Sequence, residues 1–197
     1  ETYVQTVGLG QQFKLGNAVS AENFGVELEV RKALADVTTK SLLSRFFLVA
    51  NASYIYTEVD LGDEGPLAQD QIRPLQGQSP YVVNAGLHYR DDNKGHSASL
   101  LYNVAGPRIF FVGNDQFPTV YEMPRHMLDL VYTKRMSARM DMRFGISNIL
   151  NARTLLVQDS NRDNRIDYRY GASDNEDDLI MHFRRGVMWS GSVLFRL

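Results

Sequence analysis

The residues best placed to do chemistry are oxygens. Asp159, Asn161 and Asp163 stand at alternate positions, with Ile166 at the eighth place counted from Asp159 and Asp167 at the ninth. Alternate spacing lets a turning backbone aim three side-chain oxygens at one hard cation, as at the start of an EF-hand-like calcium loop. Asn164 takes the sixth position, where such loops carry glycine, and Asn tolerates the left-handed turn needed there. The bidentate acid of the twelfth position is absent, because Tyr170 stands there, and Arg162 and Arg165 add positive charge. The expectation is therefore double: a calcium site on Asp159, Asn161, Asp163 and Asp167, or an acidic, solvated surface loop continuing through Asp174-Asn175-Glu176-Asp177-Asp178. No other cofactor is indicated.

Catalysis has little to build on. The histidines are His88, His96, His126 and His182, none beside a recognisable Ser nucleophile context. There is no phosphate-binding glycine loop and no HExxH, and with zero cysteines neither thiolate chemistry nor a disulfide is available. The sequence does not read as an enzyme.

The charged residues that remain are spread at every second position. Glu27, Glu29 and Arg31 alternate with Phe24, Val26, Leu28 and Val30. Asn84, His88 and Arg90 alternate with Val83, Ala85, Leu87 and Tyr89, and Asp129 lies between Leu128 and Leu130. Arg139, Asp141 and Arg143 alternate with Met140, Met142, Phe144 and Ile146. The terminal stretch places Val187, Trp189, Gly191, Val193, Phe195 and Leu197 on one parity. Period-2 alternation of this kind marks strands with one apolar and one polar face.

Composition bounds the rest. The chain has 197 residues, 44% hydrophobic and 22% charged, with a net charge of −2. A nucleic-acid binder would carry a basic excess, so that class is set aside. Neither disorder nor a membrane-spanning helix fits the composition. The chain opens Glu1-Thr2-Tyr3-Val4-Gln5, without an initiator Met or the basic and apolar regions of a signal peptide. It reads as a processed chain or, the reading favoured here, as a piece of something longer.

Strands are expected at about 17–33, 43–61, 79–91, 96–113, 122–135, 138–150 and 182–197, with a poorer one within 1–13. Their connections alternate between short (33–41, 91–95, 134–137) and long (62–78, 114–121, 151–181). Transmembrane β-barrels sort their connections this way, with short turns on the periplasmic side and long loops outside. The strand lengths agree: ten residues at ~3.3 Å, tilted near ~40°, project to about 25 Å, the height of a lipid-facing band. If the C-terminus is periplasmic, Tyr89, Tyr132 and Phe195 fall near the periplasmic edge and Tyr54 and Tyr56 near the outer edge. With Trp189 they form the expected membrane-interface aromatics. The fold class is then all-β, an antiparallel transmembrane β-barrel segment. Glu27, Glu29, Arg31, Asn84, His88, Arg90, Asp129, Arg139, Asp141 and Arg143 face its lumen.

Three segments carry a resemblance. Asn17 to Arg31, with its Gly25-Val26-Glu27-Leu28-Glu29 centre, resembles a strand of TonB-dependent outer-membrane receptors. Arg73 to Leu87 is similar to the "LqGqSPyvvNagL" stretch of the same barrels, in particular Bacteroidetes-type ones. Gly145 to Asn151 resembles their "NilN" element before the last long loop. The ending departs from the pattern, since Phe195 is followed by Arg196-Leu197 where outer-membrane proteins usually end in Phe.

The resemblance implies about seven or eight strands from the C-terminal portion of a barrel of about 22 strands. The plug domain, TonB box and signal peptide would lie upstream. It implies an outer-membrane receptor of a Gram-negative bacterium, taking up a siderophore, cobalamin, glycan or peptide. Its partners would be outer-membrane lipid, the rest of the barrel and the plug domain, the TonB complex through the upstream region, and a surface lipoprotein. Two other classes stay open on the residues alone: a small self-contained barrel with a structural or adhesive role, and a soluble carbohydrate-binding β-sandwich.

Overall fold

The structure is a computed structural model that describes residues 2–7, 10–15, 17–36, 42–62, 71–114 and 117–196. Leu197, the turn residues 37–41 and parts of two expected loops, 63–70 and 115–116, lie outside the described residues. Among the described residues the chain is all-β, with two single-turn 3-10 segments at Leu34–Asp36 and Leu43–Arg45.

A hairpin of β1 (Thr2–Val7) and β2 (Gly10–Leu15) stands first, where one poor strand was expected. The main sheet follows. Its strands are β3 (Ser20–Ala33), β4 (Phe46–Asp60), β6 (Tyr81–Asp91), β7 (His96–Ala105), β10 (Met127–Ser137), β11 (Met140–Ser147) and β14 (Met188–Phe195). Each pairs antiparallel with the next, and β5 (Ile72–Arg73) adds two residues to β4. No pairing joins β14 to β3 among the described residues, so the sheet is open.

Register decides which residues share a face. Paired residues in adjacent strands point the same way. Leu48, Leu87, Leu100, Leu130, Ile146 and Trp189 form one unbroken row across six strands, with Lys32 at its β3 end. Nearer the short turns runs a second row of Phe46, Tyr89, Ala98, Tyr132, Phe144 and Gly191. Toward the other end, Tyr56 pairs with Phe24, and Tyr54 with Val26 and Tyr81. This apolar face is uncovered: Phe24, Leu28, Trp189 and Phe195 are each about two-thirds exposed, at 65%, 67%, 65% and 66%.

The buried apolar residues lie elsewhere. Val59, Leu61, Ile109, Val112, Leu156 and Val157 cluster at the long-loop end, with Val104 just below. Val59 and Val104 lie in β4 and β7 of the main sheet, while Ile109, Leu156 and Val157 belong to a second, four-stranded sheet of β8 (Arg108–Phe111), β9 (Val120–Glu122), β12 (Arg153–Gln158) and β13 (Asp178–Arg184). Its order, β8-β9-β12-β13, copies the order β7-β10-β11-β14 in the main sheet. The second sheet is thus the main sheet continued past a line of breaks.

Each break has a local cause, and together they correct the expected boundaries. The strand expected at 96–113 divides at Gly106-Pro107, because proline has no N–H for the ladder. Before β10, Pro124 keeps β9 apart from it, so the strand expected from 122 starts at Met127. The strand expected at 138–150 ends at Ser147, because Asn148 and Asn151 take left-handed backbone angles of φ 57 and 44. The terminal strand divides at 185–187, where Gly186 has φ 84. The long connection expected at 151–181 therefore contains β12 and the start of β13.

Asn148 ties this line together. Its amide donates to the Gly186 carbonyl at 2.7 Å, and its side-chain oxygen accepts from Ala152 N at 3.2 Å. Its own N–H donates to Asp129 Oδ1 at 2.7 Å. At 5% exposure, these groups have little water to fall back on.

Replacing Asn148 with Ala is expected to cost about 2–4 kcal/mol, from a left-handed angle Ala resists plus two lost hydrogen bonds. Asn148→Gly keeps the angle and should lose about half as much. Thermal or denaturant unfolding of both variants checks this; equal losses would assign the whole effect to the hydrogen bonds.

Candidate functional site

On the face opposite the apolar rows, the register places Glu27, Glu29 and Arg31 of β3 against Ser53, Asn51 and Val49. Asn84 stands between Asn51 and Asn103, and the three amides form a ladder. Asn84 Nδ2 donates to Asn51 Oδ1 at 2.8 Å, and Asn103 Nδ2 donates to Asn84 Oδ1 at 2.6 Å. The free donors and acceptors of such a ladder suit neutral polar solutes or another backbone. Asn51 and Asn103 carry the same parity signal as Asn84, but uncharged amides in an alternating strand draw no attention until their register is known.

Beside the ladder lies a pocket of about 390 Å³. Asn51, Asn84, His88, Leu101, Asn103 and Asp129 contribute to its lining. The His88 ring lies over Gly86, where an added Cβ would come within 2.9 Å of Nε2. Its Nδ1 is 2.9 Å from Ser99 Oγ, a Ser–His contact. No carboxylate hydrogen-bonds His88 among the described residues, so the third member of a hydrolytic triad is not in place. Asp129 spends one oxygen on the Asn148 N–H, which makes it a support for the break line.

The other expected lumen residues gather at the short-turn end or on the β3 edge. Asp141 accepts from Arg196 and lies 4.0 Å from Arg135. Arg90 pairs with Asp92 at 2.8 Å, and both are exposed. Arg143 stands between Thr133 and Ser192. Arg139 is in the turn between β10 and β11, outside both strands, where its N–H donates to Ser137 Oγ. Glu29 and Arg31 form an exposed pair, which contributes little to stability.

The aromatic residues occupy both ends of the apolar face. Tyr89 and Tyr132 share a row toward the short turns, and Phe195 pairs with Met140 beside the β10–β11 turn. Tyr54 and Tyr56 lie toward the long-loop end. Trp189 pairs with Ile146 and packs on Phe144 at 5.7 Å between ring centres, just below the break at Gly186.

In the acidic loop the oxygens turn to the backbone. Asp159, fully buried, accepts from Asp163 N at 3.2 Å through one oxygen and from Asn164 N at 3.1 Å through the other. Asn161 Oδ1 also accepts from Asp163 N, and Asp163 Oδ1 from Arg165 N. Asp177, 4% exposed, accepts from Ser160 N at 3.0 Å and Asp167 N at 2.7 Å, closing the loop on itself. Among the described residues, no three His, Asp or Glu side chains converge as a metal centre would require. The side-chain oxygens of Asp159, Asn161 and Asp163 serve here as turn and loop staples, the common use of Asp and Asn in loops, and Asp167 joins through its N–H.

Burial pushes the Asp159 carboxyl above its ordinary range and the Asp177 charge adds to this, while the N–H donors of Asn164, Asp163 and Arg162 pull it back. A raised value in the folded chain favours the protonated form. Its stabilising contribution is full below the unfolded value of 3.8 and is lost as pH rises through the raised value. Amide-exchange protection across 159–177, corrected for intrinsic rates, should therefore increase on acidification from neutral pH, and Asp159→Ala should flatten the dependence. Loss of protection on acidification would contradict the assignment.

No protein-family model, curated protein or solved structure matches this chain.

Proposed function

We propose that the main sheet is part of the wall of a transmembrane β-barrel in a bacterial outer membrane, and that the barrel is a TonB-dependent uptake receptor. The observation that carries the membrane reading is the register. It aligns large apolar side chains from seven strands on one uncovered face and sets the amide ladder and most of the charged groups on the other. A wall between lipid and a wet interior requires this arrangement, and a β-sandwich would bury that face beneath a second sheet.

Topology bears on how such a wall would close. Strands of the main sheet alternate in direction, so β3 and β14 run the same way. Bacterial barrels of a single chain close antiparallel with an even number of strands. Seven strands do not satisfy this, nor do nine if the β1–β2 hairpin is added. An odd number of further strands is thus part of the proposal, which favours a larger barrel over a small self-contained one.

Transport, gating by a plug and energy from TonB rest on the sequence resemblance at 17–31, 73–87 and 145–151. The structure supplies roles for two of these segments. Ser79 Oγ donates to the Gly106 carbonyl at 3.0 Å and Gly77 N to the Ile109 carbonyl at 3.0 Å, so 73–80 binds the loop end to β7 and β8. Asn148 of the third segment organises the breaks. The cargo would be a nutrient such as a siderophore, cobalamin, glycan or peptide. Loops held by the second sheet would meet it outside, and the amide ladder would line its route.

Charge on the apolar face tests this. Leu100→Arg lies in the central row and is expected to cost about 2–4 kcal/mol of membrane stability, whereas Thr133→Arg on the opposite face should be mild. Heat-modifiable mobility of the membrane-inserted protein reads the difference. Equal tolerance of both would overturn the face assignment.

A further inference from the structure

Near the short turns, the apolar face carries a groove of about 520 Å³ whose lining includes His96, Tyr132, Lys134, Met142, Phe144 and Val193. By register these six share one face: Lys134 pairs with His96 and Met142, Tyr132 with Phe144, and Met142 with Val193. Gly191, opposite Phe144, leaves the floor open, because an added Cβ there would meet no atom within 4 Å. The groove therefore combines an apolar bed with a polar rim at the level of the Tyr89–Tyr132 row.

The rim's hydrogen bonds leave donors free. Lys134 Nζ donates to the Lys94 carbonyl at 2.7 Å and lies 2.9 Å from His96 Nε2. An ammonium only donates, so Nε2 accepts and the ring proton sits on Nδ1. His96 Nδ1 then donates to the Tyr132 oxygen. Among the described residues this leaves the Tyr132 hydroxyl proton and the third Lys134 N–H without a partner. The nearest carboxylate on this face, Asp91, opposite His96, is committed to Arg45 and the Lys94 N–H.

We propose that this groove holds a phospholipid of the leaflet at the short-turn end. Its phosphodiester would accept from Lys134 and Tyr132, and an acyl chain would lie along Met142, Gly191 and Val193. Charge complementarity selects the headgroup: a cation and a hydroxyl donor at the rim match one phosphodiester, and the apolar bed excludes a fully hydrated ion. The inference rests on the membrane reading above.

The test is native mass spectrometry of the protein released from detergent micelles doped with dioleoyl phosphatidylglycerol. The wild type should retain the lipid. Lys134→Gln should lower retention about fivefold, the worth of one cation near a membrane surface. Gly191→Leu, whose Cβ has open space around it and whose side chain takes up groove volume, should lower it comparably. Dioleoylglycerol, which lacks the phosphate, should be retained less than phosphatidylglycerol. Unchanged retention in both variants would overturn the site, as would displacement of the lipid by millimolar inorganic phosphate, which would mark an ion site only. A folded protein that stays in solution without detergent would instead overturn the membrane reading itself, so the two failures are distinguishable.

Discussion

Main-chain hydrogen bonding between neighbouring strands holds the main sheet together, and the rest of the structure depends on it. A sheet usually gains stability by burying one face against another layer. Here the apolar face is uncovered, and the buried apolar residues sit mostly at the far end, around Val59, Ile109 and Val157. Such a sheet must satisfy its backbone polar groups through its ladders and must find an apolar surrounding for its side chains. In the proposed reading a bilayer would supply that surrounding, and closure with further strands would remove the two edges that β3 and β14 leave unpaired among the described residues.

The second constraint is the line of breaks. Four hairpin arms are interrupted at about the same level and resume in the same neighbour order. Two prolines, Pro107 and Pro124, a pair of left-handed asparagines and a glycine interrupt them. Below the line, residues sort by face. Above it, they sort into a small core with buried Thr57, Ser79, Thr119 and Thr154 tying the loops. Thr57 Oγ1 accepts from Leu75 N, and Thr119 Oγ1 from Gly113 N, so these hydroxyls replace ladder partners that irregular backbone lacks. The long connections are thereby a built platform, held by Asn148 and by the buried carboxylates Asp159 and Asp177.

Much of this was legible beforehand because it depends on parity alone. A strand such as Ser20–Ala33, alternating Phe24, Val26, Leu28 and Val30 with charge, has one register of faces and no helical competitor. The short turns were legible from Asp91-Asp92-Asn93-Lys94-Gly95, where Asp91 does accept from Lys94 N. The breaks were not. The strands expected at 96–113 and 182–197 run straight through Pro107 and Gly186, and the division of each into two separately paired strands shows only when its partner is known. The amide ladder failed for a related reason: Asn51, Asn84 and Asn103 are distant in sequence and meet only through cross-strand register. The calcium pattern left two readings open because alternate Asp and Asn also makes Asx turns, and spacing alone does not say whether an oxygen faces a cation or the next N–H.

The most direct test of the two-faced wall is a nitroxide scan of β7, from His96 to Ala105, in lipid vesicles. The chain has no native cysteine to interfere. Accessibility to oxygen, which concentrates in hydrocarbon, should peak at Ala98, Leu100 and Tyr102. Accessibility to a water-soluble nickel chelate should peak at Ser97, Ser99, Leu101 and Asn103. Two out-of-phase profiles of period two are the predicted result; profiles that rise and fall together, or labels uniformly open to the chelate, would contradict the account.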